Sequence, residues 1–352
     1  MTVHDIFPSD WLWTPKLTDI MALYDVPAPA KINLFLHVTG RRADGYHELQ
    51  TVFRFIGLYD WLDFDVRRDG RIEREGEGLA GLAPEQDLVV RAAQALQQAT
   101  GVKLGAQIRY RKNIPSGAGL GGGSSDAATT LIALNRLWST GLDRAALTQL
   151  ARPLGADVPV FVHGESAFAE GIGDIFTPIE LPERSYVVLR PAGAVPTAHI
   201  FSAPDLTRDT EPVIISVFAD WQTGQAQKKA QLLRPSQEGM LERFKGRAFF
   251  GRNDLEPVVL ANYPPVKQMA EALRNAGYNA RMTGSGSCFF IEFDTLKQAS
   301  RAQQEISSKM LVGGSETQVC VENALAAHGS PTAVVEGIWA CPGLSEHPLR
   351  HW

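Results

Sequence analysis

Between residues 30 and 38 the chain alternates strictly: Ala30, Ile32, Leu34, Leu36 and Val38 fall on one face, Lys31, Asn33, Phe35 and His37 on the other. A period of two predicts a β-strand. It also projects Lys31 and Asn33 the same way, about two residue rises apart. Residues 51–66, 103–110 and 186–191 read as further strands, the first and last of them rich in β-branched and aromatic side chains. Elsewhere the spacing is helical. Residues 87–99 predict a helix capped by Asp87, residues 127–138 one with Leu131, Leu134 and Leu137 on its apolar side, and residues 143–154 one capped by Asp143. Residues 266–276 follow, with Gly277 as the natural C′ residue, then residues 294–309 with Asp294 as cap. The short run 158–162, right after Asp157, reads as strand-like. The order of elements predicts an α+β chain in which a sheet carries helices on one side.

A stretch rich in glycine precedes the second of these helices: Pro115, Ser116, Gly117, Ala118, Gly119, Leu120, Gly121, Gly122, Gly123, Ser124 and Ser125. Glycine lets such a loop turn its peptide N–H groups inward without steric cost. A helix that starts straight after adds unsatisfied amides and the positive end of its dipole, which together suit a phosphate chain. The Walker pattern fails, because Ser124 stands where its lysine should be. Gly117, Gly119 and Gly122 satisfy the dinucleotide pattern G-x-G-x-x-G. That pattern should follow a buried strand and meet an acid about 20 residues on. The preceding segment is charged and closed by Pro115, and the nearest acid, Asp143, lies in a turn beyond the helix. A dinucleotide site is therefore the weaker reading.

At 352 residues, 44% hydrophobic and 21% charged, the chain has room for two domains with substantial cores. A formal net charge of -5 and a pI near 5.9 give no global pull toward nucleic acid or anionic membrane, so phosphate must be met by locally placed basic groups. Cys288, Cys320 and Cys341 are an odd number without metal-like spacing, as expected in a reducing cytoplasm. No signal peptide or membrane-length apolar run is evident. Small-molecule chemistry without nucleic acid or membrane is the expectation.

The run P-x-G-x-G-L-G-G-G-S-S resembles the phosphate loop of the GHMP kinases, the superfamily of galactokinase and of the homoserine, mevalonate and phosphomevalonate kinases. Pro29-Ala-Lys-Ile-Asn-Leu-Phe-Leu resembles the same superfamily's N-terminal motif, and Met282-Thr-Gly-Ser-Gly-Ser-Cys288 its third motif, in the right order. Asp44-Gly-Tyr-His-Glu-Leu49 narrows the likeness to the branch whose alcohol substrate carries a cytidine diphosphate group. The resemblance implies a two-domain fold: a ribosomal protein S5 domain 2-like N-terminal domain and a ferredoxin-like C-terminal one. The boundaries read as 1–26 for an N-terminal extension, 27–185 for the ATP-binding and catalytic domain, 186–311 for the C-terminal domain and 312–352 for an insertion and tail.

The implied chemistry is transfer of the γ-phosphoryl of ATP to a hydroxyl. ATP would lie on residues 115–125, and Mg²⁺ would bridge its phosphates, with Ser124 or Ser125 as candidate donor and no protein metal cage. Taken alone, Asp157 reads as a turn aspartate. The pattern Gly155-Ala-Asp-Val-Pro-Val-Phe161 matches the family residue for residue and makes Asp157 the base, with Lys31 beside it as the second catalytic residue. Asn33, Tyr46, His47 and Phe201 are the implied substrate-binding residues, the rings as partners for cytosine; Phe201 reads equally well as a core phenylalanine. The partner is thus a small cytidine diphosphate substrate, the cofactors ATP and Mg²⁺, the place the cytoplasm, and the protein a monomer or weak homodimer. Two alternatives stay open: another GHMP small-molecule kinase, or a non-catalytic GHMP-fold sensor.

Overall fold

The computed structural model describes residues 21–76, 86–222, 249–309, 311–312 and 334–352. Residues 1–20 of the extension, most of 312–336, and Cys320 lie outside the described residues.

Two long strands, β1 (Ala22–Arg41) and β2 (His47–Arg67), pair antiparallel across an Asp44-Gly45 turn in which Gly45 has φ +90°. In the second half of β2, Leu58, Asp60, Leu62 and Phe64 alternate inward with half-exposed neighbours. Such alternation marks a sheet with one covered face. Strands β3 (Ile72–Arg74), β4 (Gly105–Arg111), β5 (Ala167–Glu170) and β6 (Ile175–Pro178) complete six strands in the order β3-β4-β2-β5-β6, with β1 on β2. Helices α1 (Leu88–Thr100), α2 (Gly122–Leu137), α3 (Arg144–Ala151) and α4 (Val158–His163) supply the apolar residues that cover one face of this sheet. Asp87 and Asp143 cap α1 and α3 by accepting from Val89 and Ala146, contacts that each stabilise a helix by ~1 kcal/mol.

A second sheet, ordered β10-β11-β7-β9-β8, is formed by β7 (Ser185–Pro191), β8 (Arg281–Met282), β9 (Phe289–Phe293), β10 (Leu311–Val312) and β11 (Val334–Pro342). Between β7 and β8 come α5 (Thr197–Ser202), α6 (Ile215–Gln222), α7 (Glu256–Asn262) and α8 (Pro264–Asn275); α9 (Leu296–Lys309) follows β9. Val259 of α7, Met269 of α8 and Ile306 of α9 pack with Val187, Leu189 and Phe289 of the sheet. A third apolar cluster joins the two sheets, with Ile32, Phe35 and Ile56 on one side and Tyr186, Val188 and Phe290 on the other. Strand β1 passes through all three clusters and is buried continuously from Val26 to Val38.

Four local readings change. Both faces of residues 30–38 are buried, and register shifts between Asn33 and Leu36 interrupt the simple alternation. Helix α2 begins five residues earlier than its apolar spacing suggests, inside the glycine run. The apolar run after Asp157 is the short helix α4 rather than a strand, with Pro159 in its first turn and Gly164 closing it at φ +80°. Thr295, not Asp294, starts α9: its hydroxyl accepts from Gln298 N–H while its own N–H donates to the Gln298 side chain. At the chain ends, residues 22–26 belong to β1 rather than to an extension, and β11 adds to the second sheet beside β7. The last ten residues then return to the first sheet. Leu344 N–H donates to Phe55 O, His347 N–H to Gly164 O, and Arg144 to the carbonyls of Leu349 and Arg350.

Candidate active site

A cleft of about 740 Å³ opens between the two sheets, with Lys31 and Asn33 of β1 at its floor. Lys31 is only 3% exposed. A buried ammonium is costly unless it is paired and hydrogen-bonded. It meets Asp157 Oδ2 at 3.1 Å and donates to Asn33 Oδ1 at 2.7 Å. Asp157 sits at the N-terminus of α4 yet makes no side-chain cap bond there, and at 37% exposure its carboxylate stays open to the cleft.

The orientation of Asn33 follows from one hydroxyl. Thr51 Oγ1 has a single hydrogen, donated at 2.5 Å to Phe35 O, so it can only accept from Asn33. The amide therefore turns Nδ2 to Thr51 at 2.9 Å and leaves Oδ1 for Lys31. The Asn33 N–H donates to Thr283 Oγ1 at 2.8 Å, which ties the strand to the third glycine motif. Asn33, expected as a substrate contact, lines the cleft and gives its carbonyl oxygen to the lysine.

The glycine-rich loop lies against this floor. Lys31 N–H donates to Leu120 O at 3.0 Å. Gly119 has φ +76°, and a Cβ there would stand 2.2 Å from Thr283 O, so only glycine lets the two motifs touch. Gly121, at φ +73°, is the N-cap of α2; a Cβ there would lie 3.0 Å from the Phe161 ring and 3.2 Å from Lys31 Cε. The first intrahelical bond runs from Ser125 N–H to Gly121 O, which leaves the amides of residues 122–124 without a carbonyl inside the helix. Residues 115–119 and 121–124 line the cleft. Leu120 and Ser125 do not: both side chains are buried, and Ser125 Oγ has no partner. Of the two serines, Ser124 faces the cleft.

Beside the loop, Lys112 bridges the buried carboxylates of Asp60 and Asp126. Burial pushes the Asp126 carboxyl up against the opposing pull of Lys112. For Lys112, burial acts downward, but the two carboxylates outweigh it and hold the ammonium above its ordinary value.

At the far end stand Tyr46, His47 and Phe201. Tyr46 is 59% exposed; His47 is buried and packs on Phe201 with ring centroids 5.1 Å apart. Arg208 donates to His47 Nε2 at 3.1 Å. Arginine can only donate, so Nε2 is an acceptor, and the neutral ring carries its hydrogen on Nδ1. Burial lowers the His47 pKa, and the charges of Arg208 and Arg41 add to this. Thr197 and Ser285 bond across the cleft wall at 2.7 Å, α5 to the third glycine turn. Asn253 holds that turn by donating to Met282 O and Gly284 O.

The structure thus brings Lys31, Asp157, Asn33, the loop, Tyr46, His47 and Phe201 to one cleft. Sequence reading missed Thr51, Thr283, Asp60, Lys112 and Arg208. Residues 51–66 read as a strand and so held Thr51 and Asp60, but strand periodicity cannot say which residue of a distant segment a polar side chain meets. Cys288 is fully buried and burial pushes its thiol up to about 12, which leaves it no nucleophilic role. Among the described residues no group of three or more His, Cys, Asp or Glu is arranged to hold a metal, and no helix is long and apolar enough to cross a membrane. Mg²⁺ commonly takes one or two protein oxygens and completes its shell with phosphate and water. The Ser124 hydroxyl, beside free loop amides, fits that mode.

Residues 87–165 match the family described as GHMP kinases N terminal domain, and residues 236–312 the one described as GHMP kinases C terminal. A 4-diphosphocytidyl-2-C-methyl-D-erythritol kinase of Bordetella parapertussis is 54% identical over 332 residues, 94% of this chain and 99% of that protein. One from Dechloromonas aromatica is 46% identical over 323 residues, 92% and 98% of the two chains. Among solved structures, a 4-(cytidine 5'-diphospho)-2C-methyl-D-erythritol kinase superposes with a TM-score of 0.66 at 30% identity, covering 92% of this chain and 99% of the other. A homoserine kinase from Cytophaga hutchinsonii, 14% identical with a TM-score of 0.57 over 96% and 98% of the two chains, shares the fold.

Proposed function

The chain belongs to the GHMP kinase family, and from that premise we propose that it phosphorylates the 2-hydroxyl of 4-diphosphocytidyl-2-C-methyl-D-erythritol with ATP, in non-mevalonate isoprenoid precursor synthesis. The observation that carries this is the Lys31–Asp157 pair on the floor of a cleft with a phosphate-type loop on one side and a ring cluster on the other.

Phosphoryl transfer through a loose transition state asks the protein for positioning and charge neutralisation more than covalent chemistry. The amides at residues 122–124 and the rest of the 115–124 loop hold the triphosphate. Asp157 accepts the hydroxyl proton as the alcohol oxygen attacks. Lys31, held by Asn33 and Thr51, neutralises charge on the transferring phosphoryl. The Ser124 hydroxyl would hold Mg²⁺, which would supply charge neutralisation for the triphosphate. Tyr46, His47 and Phe201 receive the cytosine ring by stacking and edge contacts. In this reading residues 27–185 supply the ATP-binding and catalytic part and residues 186–311 the second part, in a cytoplasmic protein that works as a monomer or weak homodimer. Neither nucleic acid nor membrane takes part. A sensor that had lost catalysis would not need the base and the lysine paired at 3.1 Å.

The test is ADP release from Mg-ATP with the cytidyl alcohol, homoserine or mevalonate, for wild type and Asp157→Asn. We expect turnover with the cytidyl substrate alone, reduced about 10²–10⁴-fold in the variant. Turnover with homoserine or mevalonate instead would discard the cytidine site.

A further inference from the structure

Charge accounting around the cleft singles out one residue that the mechanism above does not use. Three cations line it among the described residues: Lys31, Lys112 and Arg41. Lys31 is paired with Asp157, and Lys112 is neutralised by Asp60 and Asp126. Arg41 has no carboxylate partner among the described residues. It lies at the end of β1, where its Cα partner across the strand pair is His47. Cross-strand partners project to the same face of a sheet. The Arg41 charge accordingly reaches His47 and helps lower its pKa. An unpaired guanidinium therefore stands beside the rings proposed for the base, at the opposite end from the buried lysine.

A cytidine diphosphate substrate must thread two negative charges between those ends. Lys31 is committed to the reacting centre, and Lys112 carries no net positive charge to spare. The planar fork of an arginine suits phosphate oxygens in two-point contact. We propose that Arg41 binds the diphosphate of the cytidyl substrate and makes the enzyme select a nucleoside diphosphate over the bare nucleoside. This rests on the functional reading above. Because Arg41 is exposed before substrate arrives, its contact forms without undoing any ion pair.

The experiment compares wild type with Arg41→Gln, Arg41→Lys and the neighbouring control Arg42→Gln, whose parent side chain pairs with Asp44 instead. Steady-state kinetics are read for the cytidyl substrate and for ATP, and CDP and cytidine are measured as competitive inhibitors at saturating ATP. In Arg41→Gln, KM for the cytidyl substrate and Ki for CDP should each rise about tenfold, the loss of one charge-assisted phosphate contact. Ki for cytidine, KM for ATP and kcat should stay within about twofold. Arg41→Lys should recover part of the loss, since it keeps charge but not the fork, and Arg42→Gln should resemble wild type. Unchanged CDP inhibition in Arg41→Gln overturns the assignment, as does equal weakening of cytidine and CDP, a rise in the KM for ATP, or an equal effect in Arg42→Gln. A wild-type enzyme that does not turn over the cytidyl substrate overturns the functional reading itself, and the Arg41 assignment with it.

Discussion

The smallest decision in the site is made by the hydrogen of Thr51. Because it goes to Phe35 O, the hydroxyl accepts from Asn33, and Asn33 must show its oxygen to Lys31. Thr51→Val keeps the shape and removes the acceptor. The Asn33 NH₂ then has no acceptor, and only the ammonium still fixes the amide that in turn positions Lys31. We expect kcat to fall about tenfold with little change in KM, and stability to drop by about 1–3 kcal/mol as the Phe35 carbonyl and the amide lose partners. Thr51→Ser keeps the hydroxyl and should remain close to wild type in both. Steady-state kinetics and urea titration of the pair check this, and a Val variant as active as the Ser variant would remove Thr51 from the account. Lys31 and Asp157 were visible in the sequence only because family motifs mark them; composition and period alone left Asp157 a turn residue. Thr51 and Arg208 carried no mark, since a lone polar residue acquires its meaning from what folds against it.

At the level of elements, the long amphipathic segments were legible and the short ones were not. Helices α1, α3 and α8 repeat their apolar positions for two turns or more, and their caps stand where the sequence places them. Helix α4 has six residues, too few for a period to distinguish a buried helix from a buried strand. Its better signals were Pro159 near the start and Gly164 at the end, the usual asymmetry of helix boundaries. Helix α2 hid its beginning because glycine, a poor helix former, occupies its first positions; there, close approach outweighs propensity. Gly121→Ala tests that trade. An alanine at φ +73° is strained, and its Cβ meets Phe161 and Lys31. We expect stability to fall by about 1–3 kcal/mol, and both the KM for ATP and kcat to worsen, measured by denaturant titration and kinetics. An alanine variant with unaltered kinetics would show that the loop tolerates a side chain where the structure leaves none.

Over the whole molecule, both termini of the described chain converge on the first sheet, β1 at its start and the tail at its end. The tail buries His347 completely, edge-on to Phe55, with Nδ1 accepting from Leu349 N–H and Nε2 unpartnered. Burial lowers its pKa from the usual 6.5 to about 3, and the Arg144 charge adds to this. The folded pKa is below the unfolded one. The stabilising contribution is therefore complete above pH 6.5 and erodes as pH falls from there toward 3, by up to about 1.4 kcal/mol per unit. In His347→Gln the decline in unfolding free energy between pH 6.5 and 4 should be shallower by up to that amount, read from urea titrations. It should not vanish, because His37 and His163 are also lowered by burial. An identical slope in the variant would mean that His347 does not titrate on unfolding. The order of strands and helices predicted one sheet, and the two-domain plan came from the family motifs. The return of the tail was not legible, since it rests on backbone bonds, the Arg144 contacts, the Arg350–Glu165 pair and a buried ring that no motif marks. That return has a consequence for how the protein comes to be made. A first sheet that lacked its tail would leave Phe55 and Phe161 partly uncovered and Arg144 without two of its carbonyl acceptors, those of Leu349 and Arg350. Vectorial synthesis therefore delivers the phosphate-loop and Lys31 motifs before the piece that seals their sheet, and that sheet is not closed until residue 349 has been made.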